Sequence, residues 1–197
     1  RIGPLFEQGG TAGIDTLSGQ PLTVTYGFAG NDTLTSGAAA RSTLVFDAFD
    51  VLIGGLGDDQ YVVRSGDAAI LADLGSSSAD SLSAPGLRFN SNSTTPFTLE
   101  GGRHLLLYDA NSGTRVVVVD WLSAANRIET FAFADATVSV DQLNQRLQAT
   151  PPADFNWTQW FAANSYNGII KTAGLNNAAG MDALLSSYAQ INAAGSL

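Results

Sequence analysis

"GGLGDDQYVV", Gly54 to Val63, sets three glycines and two adjacent aspartates directly against an aromatic and β-branched run. A loop of this composition has little order of its own, because glycine loses the most freedom on folding and neighbouring carboxylates repel. It makes sense when something positive organises it. With Asp59 as position six of a nine-residue unit, Gly54, Gly55 and Gly57 fall on positions one, two and four, and Tyr61 on position eight. Stepping back by nine puts Asp50 and Leu52, then Arg41 and Thr43, then Asp32 and Leu34 on positions six and eight. Gly27 and Gly30 take positions one and four of "GFAGNDTLT". "GTAGIDTLS" repeats the form with Gly10, Gly13, Asp15 and Leu17, seventeen residues before Asp32, so the register slips by one there. The alternative is a set of unrelated Gly-Asp turns between strands; the phase shared by several copies argues for stacked repeats.

The spacing has a physical logic. Glycines allow the close-approach backbone of a six-residue turn. The next three residues form a short strand whose middle side chain points inward. The carboxylates of Asp15, Asp32, Asp50, Asp58 and Asp59, with the backbone carbonyls of Gly27, Gly30, Gly54, Gly55 and Gly57, are the candidate ligands, with Asp47 as a further carboxylate. They are hard oxygen donors, which suit Ca²⁺ rather than a soft metal.

These units resemble the RTX, or haemolysin-type calcium-binding, repeat family. The resemblance implies a short parallel β-roll in which two nonapeptides make one coil and Ca²⁺ sits between stacked turns. Carried onto this chain, it implies that Asp32 and Asp50, eighteen residues apart, share a side. It also implies that Asp59 stacks with the turn "SGAAAR", where Arg41 replaces the acid. A second resemblance, to the segment that follows such arrays, rests on "TRVVVVDWLSAANRIETFAFADATVSVDQL", with Ala136 where the family often has Gly after the Asp.

The expected architecture is mainly β: a degenerate roll over residues 1–65, a β-rich capping region over 66–140, and a helical segment over 141–197. In the middle part, Phe97–Glu100, His104–Tyr108, Arg115–Trp121, Ile128–Phe133 and Thr137–Val140 read as strands, with Ser91–Pro96 a polar loop. They would cover an edge otherwise open to other chains. Ser139 and Gln142 have capping-box spacing, and Leu143 and Leu147 share a helix face. Trp157, Trp160 and Phe161 form an aromatic stripe, which reads as packed on the β body or as a partner-binding groove. Gly174 and Gly180 bracket a break before a final helix.

Composition narrows the function. Eighteen acids against nine bases give a formal charge of −9, which argues against nucleic-acid binding. No cysteine and a single histidine argue against thiolate or zinc sites. No apolar run approaches ~20 residues, so no membrane span is predicted. The Arg1-Ile2-Gly3-Pro4 start has no initiator Met, so the chain reads as a piece of something longer. His104, at a strand start, reads as a surface or turn residue, and no G-x-S-x-G elbow accompanies it. No spacing selects a carboxylate pair from Glu100, Asp120, Glu129 and Asp135.

What the resemblance implies is a non-catalytic, calcium-binding C-terminal module of a bacterial protein exported by type I secretion machinery. It would fold when it meets calcium in the extracellular medium or at the cell surface. "LLSSYAQINAAGSL" has the small-residue character of such a secretion signal. The other function expected of such a fold is an adhesive or partner-docking module for a protein or glycan.

Overall fold

Three acids of the repeat, Asp15, Asp32 and Asp59, are each followed by a three-residue strand: β2 (Thr16–Ser18), β4 (Thr33–Thr35) and β6 (Gln60–Val62). β8 (Ser81–Ala84) and β12 (Thr130–Phe133) continue this sheet in parallel, and β13 (Thr137–Ser139) closes it antiparallel. Its register aligns Leu17, Leu34, Tyr61, Leu82 and Phe131 in one column. The last four are at most 1 % exposed, as expected of the inward residue of each short strand.

The computed structural model describes residues 6–20, 23–37, 50–153 and 178–197. In it the intervening strands build a second sheet. β1 (Phe6–Gly9), β3 (Thr23–Ala29), β5 (Asp50–Leu56), β7 (Ala68–Leu71) and β11 (Arg115–Val118) run parallel, and β10 (His104–Asp109) and β9 (Thr94–Leu99) add an antiparallel hairpin. From β1 to β8 the chain alternates between the sheets, one strand in each per circuit. Among the described residues the fold is mainly β, with two sheets of largely parallel strands and two helices.

The two sheets share a core in which Leu52, Leu71, Leu105 and Val118 meet Leu34, Tyr61, Leu82 and Phe131. The other face of the second sheet carries Val24, Tyr26, Val51, Ile53, Ile70 and Val117, with Tyr188 and Ile191 of helix α2 (Ala178–Ala194) on them. A sheet covered on both faces needs apolar side chains at consecutive positions. Val51, Leu52 and Ile53 are therefore all buried. Helix α1 (Val140–Ala149) starts at the expected capping box and packs Leu143 and Leu147 into the inter-sheet core.

Several expectations are corrected. Successive circuits at the acidic corner span 17, 27, 21 and 49 residues rather than a uniform eighteen. Asp32 and Asp50 consequently lie on different corners: Asp32 precedes β4, whereas Asp50 opens β5 in the other sheet. Asp59 stacks on Asp32 and Asp80. β9 begins at Thr94, inside the expected loop, and takes Pro96 because it is an edge strand. Gly180 lies within α2, not at a break. His104 is fully buried, because its ring sits under the Glu100–Arg103 turn. Arg41, Asp47, Gly174, Trp157, Trp160 and Phe161 fall outside the described residues.

Candidate metal centre

Every parallel strand of the first sheet is preceded by an acid, and the acids form a ladder. The N–H of Asp15 donates to Asp32 Oδ1 at 2.8 Å, that of Asp32 to Asp59 Oδ1 at 2.7 Å, and that of Asp59 to Asp80 Oδ1 at 2.7 Å. The N–H of Asp80 then donates to Glu129 Oε2 at 2.9 Å. Each carboxylate thus satisfies an amide of the preceding circuit that the turn leaves outside the strand ladder. One oxygen per carboxylate does this work. The second oxygens of Asp32 and Asp59 are buried with no hydrogen-bond partner. Glycine makes the crowding tolerable: a Cβ at Gly54 would lie 2.3 Å from both Asp59 Oδ2 and Tyr61 Oη. Gly57, with φ +128, adopts a backbone that L side chains rarely take, and its Cβ would meet Gly30 O at 2.0 Å.

The densest point of the ladder is at Asp59. There Asp73, which follows β7, joins Asp59 and Asp80, and the three buried carboxylates bring ligand oxygens within 4.8 Å of one another. Tyr61 Oη donates to Asp73 Oδ1 at 2.7 Å and accepts the Gly54 N–H at 3.0 Å. The Gly75 N–H donates to Asp73 Oδ2 at 3.2 Å, and Ser77 Oγ donates to Asp80 Oδ2 at 2.5 Å. Among the described residues, no basic side chain enters this hydrogen-bond set.

Burial pushes Asp59 up to about 7, reinforced by the charges of Asp32, Asp80 and Asp58 against the amide bond from Asp32. Burial likewise pushes Asp73 up to about 8, against the lowering hydrogen bond from Tyr61. Asp80 and Asp32 are raised as well, again chiefly by burial. Asp59 and Asp73 therefore hold protons to near-neutral pH unless a cation replaces them. The donor set fits a hard divalent ion: carboxylate and hydroxyl oxygens only, with the orphaned Asp59 Oδ2 beside Tyr61 Oη.

Of the residues expected from sequence, the structure brings Asp15, Asp32 and Asp59 into one ladder. Only Asp59 belongs to the trio. Asp15 is half-buried and accepts from Thr11 N and Oγ1 at 2.6 and 2.8 Å. Asp58 is exposed. Asp50, on the other corner, accepts from Thr23 N at 3.3 Å and Gly37 N at 2.7 Å. Gly27, Gly30, Gly54, Gly55 and Gly57 line the stacked turns; a neighbouring backbone carbonyl excludes a Cβ at all of them but Gly54, where Asp59 Oδ2 and Tyr61 Oη do so. Asp73, Asp80 and Glu129 were not singled out as ligands. Asp80 had a legible signal, since Gly75 and Asp80 repeat the five-residue spacing of Gly54 and Asp59. Asp73 had none, because it joins the trio through the stacking of β7 on β5.

A second polar cluster lies on the opposite side of the second sheet's hairpin. Arg103 bridges Asp120 and Asp182, both at 2.5 Å, and Glu100 at 3.5 Å. The Asp120 N–H donates to His104 Nδ1 at 2.9 Å. Here the acids are neutralised by a guanidinium, which makes the cluster a clamp of α2 to the hairpin. No protein-family model matches the chain, and no curated protein is significantly similar to it. No helix of the described residues is long and apolar enough to cross a membrane.

Proposed function

We propose that this chain is a non-catalytic module whose coil of parallel strands is organised by calcium, the role that the RTX-like repeats imply. One observation carries the reading: Asp59, Asp73 and Asp80 converge, buried and, among the described residues, without a cationic hydrogen-bond partner, at a corner where Asp59 Oδ2 has no partner either. An isolated buried carboxylate is costly, and an arrangement of three invites either protons or a metal. Calcium held there by Asp59, Asp73 and Asp80 supplies the positive charge, and its binding energy becomes folding energy. The ladder carries that order along the corner, since Asp59 is bonded directly to the circuits before and after it.

The physical consequence suits export. Where calcium is scarce the charged corner opposes folding, and where it is plentiful the ion stabilises the coil by about 2.7 kcal/mol at a hundred times its dissociation constant. Passage through a type I channel and a bacterial extracellular setting rest on the sequence resemblance and extend the same reading.

Far-UV circular dichroism and thermal melts of the full chain in EGTA and in millimolar CaCl₂ test the proposal. The expected result is a higher melting temperature with calcium and bound calcium detected after desalting. Identical melts, with no retained calcium, would refute it.

A further inference from the structure

A cavity of about 380 Å³ opens where α1 and the loop between β8 and β9 part over the inter-sheet core. It shares no residue with the acidic corner. Its wall is apolar on one side, with Leu143 and Leu147 of α1 facing Phe133 and Leu107 of the strands. Arg88, from the loop, and Arg146, beside Leu147 on α1, are exposed residues that also line it. No acid lines it among the described residues, although acids outnumber bases two to one in the chain. Two of the nine basic residues thus converge on one apolar cavity.

The cationic side is held in place. Phe89 stacks on Phe133 with ring centroids 5.7 Å apart, and the Arg146 guanidinium lies 4.4 Å from the Phe89 centroid. Arg146 Nη1 also donates to the Phe89 carbonyl. The loop is braced by Phe89 N and Asn90 N on the Asp135 carboxylate, at 2.7 and 3.0 Å, and by Arg88 N on Thr94 Oγ1 at 2.8 Å. Asp135 accepts those amides and feels the Arg88 charge; it lines, with Arg88, the depression beside the cavity rather than the cavity itself. A fixed guanidinium with spare N–H groups above an apolar wall matches one ligand chemistry: an anionic head on an apolar body.

We infer that this cavity binds a small aromatic or alkyl carboxylate, its carboxylate on Arg88 and Arg146 and its apolar body against Leu143, Leu147 and Phe133. Isothermal titration of the full chain with 2-naphthoate, beside its uncharged analogue 2-naphthalenemethanol, tests this. The carboxylate is expected to saturate at one per chain, and the alcohol to bind roughly ten-fold more weakly. Arg88→Gln, an exposed position, and Arg146→Gln are each expected to weaken 2-naphthoate binding by roughly ten-fold, while Arg146→Lys retains part of it. Equal binding of acid and alcohol, unchanged affinity in Arg88→Gln, or no saturation at millimolar 2-naphthoate would each overturn the inference. Calcium dependence of the melts is a separate readout, so failure here leaves the metal proposal standing.

Discussion

Asp59 asks two different things of its two oxygens. Oδ1 accepts the Asp32 N–H, whereas Oδ2 is buried with no partner. The roles separate by mutation. Asp59→Asn keeps an acceptor for the Asp32 amide and removes the charge. In EGTA it is therefore expected to melt no lower than the parent, while the rise on adding calcium is lost or greatly reduced. Asp59→Ala orphans the Asp32 amide as well, and is expected to cost about 1–3 kcal/mol in EGTA and more than that in calcium, where the ion's contribution is lost too. A calcium response undiminished in Asp59→Asn, read by parallel melts, would remove Asp59 from the ion's ligands. At this scale the sequence is partly readable. A glycine five residues before an acid marks the turn, because the carboxylate folds back over that glycine's Cα, and this identified Asp15, Asp32 and Asp59. The partner of each acid was not readable, because it depends on circuit length. The extra residues of the 27-residue circuit carried Asp50 to the other corner and let Asp59 meet Asp32.

The elements divide into those whose signals are local and those built by stacking. α1 belongs to the first kind. Ser139 Oγ accepts the Gln142 N–H at 3.2 Å, and Gln142 Oε1 accepts the Ser139 N–H at 2.8 Å. Ser139→Ala is expected to lower stability by about 1 kcal/mol, measured by urea denaturation with the slope unchanged. The three-residue strands were likewise foreseeable from one inward side chain each. β8 was not, since the circuit of 21 residues that leads to it departs from the nine-residue beat. α2 meets the second sheet through Tyr188, edge-on to Tyr26 at 6.2 Å, and through Ile191, and Asp182 pairs with Arg103. Tyr188→Ala is expected to release the helix before the coil. Hydrogen exchange checks this: amides of α2 lose protection while those of β5 and β6 keep most of theirs. Equal loss in both would mean that helix and coil are one cooperative unit.

Across the whole molecule, circuits share one corner, so charge placed there is felt along the stack. Asp59 and Asp73 titrate higher in the fold than in the unfolded chain, at about 7 and about 8. Between the unfolded carboxyl range near about 4 and these values, the native state holds more protons than the unfolded one. Their contribution is therefore full below that range and is lost as pH rises through the folded values. Asp109 works the other way. Burial raises it, but hydrogen bonds from Ser93, Ser112, Thr94 and Asn111 win and hold it low, so its contribution is lost only in acid. The metal-free chain is thus expected to melt at a lower temperature at pH 8 than at pH 5. Calcium is expected to reverse the slope, because an ion held at the trio would displace protons there and bind more tightly as pH rises. The gap between melts in calcium and in EGTA is accordingly expected to widen from pH 5 to pH 8. Buffered calorimetry of calcium addition at pH 7 should show protons released on binding, through a heat that varies with the buffer's ionisation enthalpy. A gap independent of pH, together with no proton release, would place the ion away from Asp59 and Asp73 and leave the ladder as a purely structural device.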